Sequence, residues 1–148
     1  MPSDFTLTPE LEEIRLRVRD FIETVVKPGE AKLGQPDKIE RAEYLQILIG
    51  MRKEARSAGL WLPHMLVEWG GMGLGHVELA MVQAEAAKAY YGPWVLNCQA
   101  PDEGNMHTLL HWATDEQKEK YLRPLCDGVV MSCFAMTEPE VAGSDPTL

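Results

Sequence analysis

Val129-Val130-Met131-Ser132-Cys133-Phe134-Ala135-Met136-Thr137-Glu138-Pro139-Glu140-Val141-Ala142-Gly143-Ser144-Asp145 departs from the pattern of everything before it. The apolar run from Val129 to Met136 reads as a short strand. Thr137-Glu138-Pro139 then leads into a turn-forming Ala142-Gly143-Ser144-Asp145. Upstream, apolar residues recur at helical spacing instead. The predicted fold class is therefore mostly α. A helical bundle is expected over residues 1–127, and the change to strand-like sequence after it marks a domain boundary, with residues 128–148 on the far side.

Working back from Gly128, the helices announce themselves by their caps. Thr114-Asp115-Glu116-Gln117 fits a capping box, with Gln three residues after the hydroxyl; Pro124 and Asp127-Gly128 break the pattern that follows. Asp102 to Ala113 and a short stretch from Val95 to Gln99 are predicted helices. His76 to Tyr91 is rich in alanine, which places it at the centre of the bundle, where neighbours approach closely. Glu40 to Ala58 turns Tyr44, Leu45, Leu48, Met51 and Ala55 inward, and Gly59 supplies the left-handed residue beyond its end. The first helix starts at Thr8-Pro9-Glu10, with Leu11, Ile14, Val18, Phe21, Ile22 and Val25 on one face, and ends or kinks at Pro28-Gly29.

Composition narrows the function. With 148 residues, 45% hydrophobic and 25% charged, the chain has the balance of a globular domain with a real core. A net charge of −9 argues against nucleic acid, which needs clustered Lys and Arg. No stretch is apolar for long enough to span a bilayer, so no membrane insertion is expected. Met1-Pro2-Ser3-Asp4 opens neither a secretory signal nor an Arg-rich transit peptide, so the expected location is cytoplasmic. Cys98, Cys126 and Cys133 lack CxxC spacing and read as reduced thiols.

Several motifs lead nowhere. Gly70-Gly71-Met72-Gly73-Leu74-Gly75 fails the dinucleotide fingerprint and reads as a tight turn between helices. His107 and His111 share a helix face, but Thr108 stands where a zinc helix carries glutamate and no third ligand is suitably spaced; no metal is expected. Ser144-Asp145 lacks a nucleophile elbow. The strand itself is more informative. Phe134-Ala135-Met136-Thr137 offers apolar side chains, free backbone groups and a hydroxyl, the mixture that a flat ring with one apolar and one amide-like end requires. A buried edge strand running into an ordinary turn would read the same way.

Taken together, Met136-Thr137-Glu138-Pro139, the following Gly143-Ser144-Asp145, the Ala113-Thr114 approach to Glu116-Gln117-Lys118, the Trp69-Gly70-Gly71-Met72-Gly73 loop and Ala100-Pro101-Asp102-Glu103-Gly104-Asn105-Met106 closely resemble the acyl-CoA dehydrogenase family, over residues 8 to 148. The last of these looks like the branch acting on longer or atypical acyl chains. The stretch Glu140 to Asp145 is one residue longer than the Gly-Ala-Gly-Ser-Asp common in the family.

The resemblance implies a helical N-terminal domain, a middle β-domain and a C-terminal helical domain in an FAD-dependent homo-oligomer. The family enzyme desaturates an acyl-CoA thioester to the 2,3-enoyl-CoA. It further implies that Phe134, Met136 and Thr137 lie along the flavin, with Thr137 hydrogen-bonding the ring. Ser144 would sit near the FAD or the thioester and pantetheine portion of the substrate. Leu96, Ala100 and Gly104 would help to line the acyl cavity. The family's catalytic carboxylate belongs to the C-terminal domain, so no catalytic residue is assigned here. These 148 residues match the first domain and the opening of the second, and alone they are expected to be inactive. A non-catalytic helical assembly module of the same ancestry is the alternative.

Overall fold

A computed structural model describes residues 7–34, 38–137 and 139. Helix α1 (Pro9–Phe21) starts where expected: the Thr8 hydroxyl accepts from the Leu11 amide at 3.3 Å, and Pro9 occupies the first turn, where no amide donor is needed. It does not end at Pro28. A π turn (Ile22–Val26) runs directly into α2 (Lys27–Leu33), with the Lys27 amide reaching back to the Ile22 carbonyl. The widened turn puts Pro28 in the first turn of α2, where its missing amide costs little.

Helix α3 (Arg41–Ser57) is capped by the Glu40 carboxylate, which accepts from the Ala42 amide at 2.6 Å. Leu48, Met51 and Ala55 are buried and Tyr44 half-buried, but Leu45 lies 40% exposed rather than inward. Gly59 does adopt the left-handed conformation, with φ +69°. The loop that follows folds back on itself: the Met72 amide bonds the Leu62 carbonyl and the Gly73 amide bonds the Met65 carbonyl. A Cβ on Gly71 would stand 2.1 Å from the Met65 carbonyl oxygen, so the glycine-rich run is a tight turn built on close backbone approach.

Helix α4 (His76–Ala86) packs along α1 and stops before Tyr91. The amides of Lys88 and Ala89 bond to the carbonyls of Glu85 and Ala86, tightening the last turn. Gly92 then comes so close to Ala86 that a Cβ would lie 1.9 Å from its carbonyl oxygen. Val82, Glu85 and Ala86 are buried, whereas Ala80, Ala84 and Ala87 are exposed, so α4 has one buried face and does not hold the centre. Short α5 (Gly92–Val95) replaces the helix expected over Val95 to Gln99, because Asn97 takes a left-handed conformation with φ +57°.

Helix α6 (Asp102–Trp112) is followed by α7 (Asp115–Gln117), whose capping box is present in full. A second π turn (Lys118–Leu122) leads into α8 (Arg123–Cys126), again placing a proline, Pro124, in a first turn. The core gathers Val18, Ile22, Val26, Leu62, Met65, Val82, Val95, Leu96, Met106 and Leu122, all fully buried. The expected strand does not form: residues 131–137 are irregular, and no ladder pairs them among the described residues. A strand exists only through a neighbour's hydrogen bonds, and none of the described segments offers an edge there.

Candidate functional site

The segment after Gly128 is fastened to the helical body by successive hydrogen bonds from Val129 to Cys133. The amides of Val129 and Val130 bond the Pro124 carbonyl at 3.0 and 3.4 Å. The Trp94 indole donates to the Met131 sulfur at 3.4 Å. The Asp102 carboxylate, buried in the first turn of α6, accepts from the Ser132 amide at 2.6 Å and the Ser132 hydroxyl at 2.5 Å through Oδ1. Its Oδ2 accepts from the Gln99 amide at 2.6 Å, and Asn105 donates to the Ser132 hydroxyl at 2.8 Å. Among the described residues no hydrogen bond to the helical body follows Cys133.

A groove of about 470 Å³ opens beside these anchors. Asn105, Thr108 and Leu109 of α6 form one wall, Tyr121, Pro124 and Leu125 another, and Val130 to Ser132 the rim. Its lining is mostly apolar.

Trp61, Trp94, Arg52 and Arg56 line a separate cavity with the start of the segment, Asp127 to Met131. Arg52 lies 4.3 Å from the centre of Trp94 and 4.7 Å from that of Trp61, and Arg56 lies 3.8 Å from the centre of Trp61. The Arg52 guanidinium donates to the Trp94 carbonyl and to Asn97 Oδ1, and Asn97 in turn donates to the Leu125 carbonyl at 3.0 Å. Burial lowers the Arg52 pKa to about 10, so it stays charged at neutral pH; the Asp102 charge acts in the opposite sense. Gly128 packs against this pair: with φ +63°, it leaves room where a Cβ would lie 2.4 Å from Arg52 Nη2 and 2.8 Å from the Trp61 ring.

The sequence-derived site residues fall into three groups. Phe134, Met136 and Thr137 are exposed on the part of the segment beyond Cys133. Gly104 is exposed on α6 with open space around it, one turn from Thr108 of the groove, and Ala100 is exposed before the helix begins. Leu96 differs: its side chain is entirely enclosed in the core. Ser144 lies outside the described residues. Asp102, Asn105 and Ser132 escaped the sequence reading. The available signal was a carboxylate in a first helical turn with an amide three residues on, but nothing local paired them with a serine 30 positions away.

His64 is buried with both ring nitrogens unpartnered, its ring 5.3 Å from that of His107; His107 in turn stacks 6.4 Å from His111. Among the described residues, no three His, Cys, Asp or Glu side chains converge on a point that could hold a metal. No helix among them is long and apolar enough to cross a membrane.

The model of the acyl-CoA dehydrogenase N-terminal domain matches residues 8–129. Acyl-CoA dehydrogenase family member 11 of Gallus gallus is 36% identical over 144 residues, and that of Homo sapiens 34% over 151. These alignments take in 92% and 97% of this chain but 18% and 19% of the relatives, so the chain spans about a fifth of their length. A solved structure described as a "putative acyl-CoA dehydrogenase" from Mycobacterium abscessus superposes with a TM-score of 0.81 at 36% identity, covering 95% of this chain and 37% of that one. A helical body with this sequence pattern, matched in both sequence and structure, belongs to the acyl-CoA dehydrogenase family.

Proposed function

We propose that these residues form the N-terminal helical wall of a flavin-dependent dehydrogenase that oxidises an acyl-CoA thioester to its 2,3-enoyl-CoA. The observation that carries this reading is the apolar groove between α6 and α8, from which Phe134-Ala135-Met136-Thr137 continues with exposed side chains and, among the described residues, no hydrogen bond to the helical body. The exposed side chains at 134, 136 and 137 suit a flavin, which needs apolar cover and a hydroxyl partner together. When bound, FAD would supply the acceptor for the hydride leaving Cβ. Phe134 and Met136 would exclude water from that side of the ring, and Thr137 would hold the ring by its hydroxyl. Ala100 and Gly104, small and exposed, would leave space for an acyl chain along α6. Ser144 is assigned to the cofactor or to the substrate's thioester end. The base that takes the α-proton belongs, in this reading, to another part of the enzyme, which works as a homo-oligomer.

The test uses the uninterrupted polypeptide encoded around these residues. The expected product is a yellow protein whose flavin absorbance bleaches anaerobically on addition of an acyl-CoA, with a series of chain lengths reporting the preferred one. The 148-residue chain alone is expected to bind FAD weakly and to show no turnover. A folded but colourless protein would favour the assembly-module reading. Full turnover by residues 1–148 would show that the groove and segment are not merely one wall.

A further inference from the structure

We propose that Asp102, Asn105 and Ser132 form a clamp that sets the position of residues 133–137, making them positioning residues for the flavin-contacting segment; this rests on the function proposed above. Asp102 is 98% buried, yet it spends Oδ1 on two donors of one residue, the Ser132 amide and hydroxyl. Helix capping does not account for this, because both donors lie 30 positions along the chain. Asn105, one turn on, donates to the same hydroxyl at 2.8 Å, so the Ser132 Oγ donates to one α6 side chain and accepts from another. Gln99 fixes the second carboxylate oxygen and so the plane of the group. Such a buried carboxylate with charge-assisted bonds is costly to leave half-satisfied, which makes the three-residue arrangement cooperative.

The position of the clamp gives it a role beyond packing. Ser132 is the last strongly anchored residue before Phe134, Met136 and Thr137, none of which is held by the helical body among the described residues. Five residues from 133 to 137 reach roughly 16 Å at about 3.3 Å each, so fixing Ser132 bounds the region the Thr137 hydroxyl can occupy, and releasing Ser132 widens it. Misplacing a reacting or orienting group by about 1 Å costs a rate factor on the order of 100.

Cys133 provides a reporter at the right place. It is the exposed thiol, whereas burial pushes Cys98 up to about 12 and Cys126 up to about 11, keeping both unreactive at neutral pH. A nitroxide attached to Cys133 should be immobilised in the unmutated 148-residue chain, freed by Ser132→Ala, and immobilised again in Ser132→Thr, with helical circular dichroism unchanged throughout. Asp102→Asn, which keeps an acceptor oxygen, should fall between. Equal probe mobility in the unmutated chain and Ser132→Ala overturns the clamp.

In the flavin-loaded enzyme, Ser132→Ala should lower kcat by about 10- to 100-fold while KM stays within about threefold, and should alter the visible circular dichroism of the flavin. A freed probe with unchanged flavin signal and kcat overturns the positioning role while leaving the clamp standing. A colourless enzyme would instead overturn the dehydrogenase reading, and the probe experiment would still decide the clamp on its own.

Discussion

Replacing Glu85 by Gln should destabilise the domain by about 2 kcal/mol at pH 7, and the deficit should disappear in acid. Glu85 is a buried carboxylate on α4 that receives Arg15, Arg19 and Lys88, with Arg15 at 3.0 Å and Arg19 at 2.9 and 3.1 Å. The Arg19 hydrogen bonds lead the effect that holds its pKa down to about 2, with Lys88 and Arg15 adding to them. Taken whole, a fall from 4.5 to about 2 corresponds to roughly 3 kcal/mol at 1.36 per unit. The cations are 23%, 41% and 44% exposed, so solvent screening reduces this to about 2. A carboxylate held below its unfolded value contributes stability that is complete above pH 4.5 and is lost as pH falls towards 2. Urea titrations followed by helical circular dichroism compare pH 7, where the contribution is complete, with pH 3, where more than half of it should be gone, and in a domain of this size 2 kcal/mol moves the thermal midpoint by about 4–8 °C. A difference below about 0.5 kcal/mol at pH 7, or one just as large at pH 3, would refute the assignment of Glu85 as the joint between α1 and α4.

Three further outcomes follow from the same geometry. Burial, with His107 as a smaller contributor, pushes the His64 imidazole down to about 4, so the unfolded chain binds a proton that the folded one refuses between pH 6.5 and about 4. Stability should fall through that window by up to about 1.4 kcal/mol per pH unit from this group, and His64→Phe should remove that part of the slope in urea titrations while being no less stable at pH 7. Gly92→Ala should cost about 3 kcal/mol because backbone must move away from the new Cβ, whereas Gly104→Ala, with nothing within 4 Å, should gain about 0.5–1 kcal/mol in the same assay. Ile49, Val129, Met131 and Phe134 leave apolar surface exposed, so light scattering at micromolar concentration should show the 148-residue chain as a dimer or larger; a monomer that binds no apolar dye would contradict this.

The local signals proved most legible where the physics is itself local. The Thr8 cap, the Thr114 capping box and the left-handed Gly59 are decided within four residues, and each forms as read. Pro28 and Pro124 misled because a proline breaks a helix only if the register demands its amide. At both positions a π turn of five residues comes just before and shifts the register, and nothing in the proline itself records that. Alanine content misplaced α4 for a related reason: small side chains permit close packing on any face but do not choose one, and that choice falls to Val82 and Glu85 against α1. The site was half legible. The apolar and hydroxyl character of Phe134 to Thr137 could be read directly, because the side chains themselves carry it. Whether they form a strand could not, because pairing belongs to the neighbour. The clamp was hidden for the same reason: an aspartate in a helix's first turn looks like an answer to the helix dipole, and only the return of the chain past α6 turns it into the acceptor for Ser132. What decides this site is therefore where the segment after Gly128 is led. The Trp94–Arg52–Trp61–Arg56 cluster, with the missing Cβ of Gly128 seated against it, directs the segment to α6 before any sheet is needed to receive it.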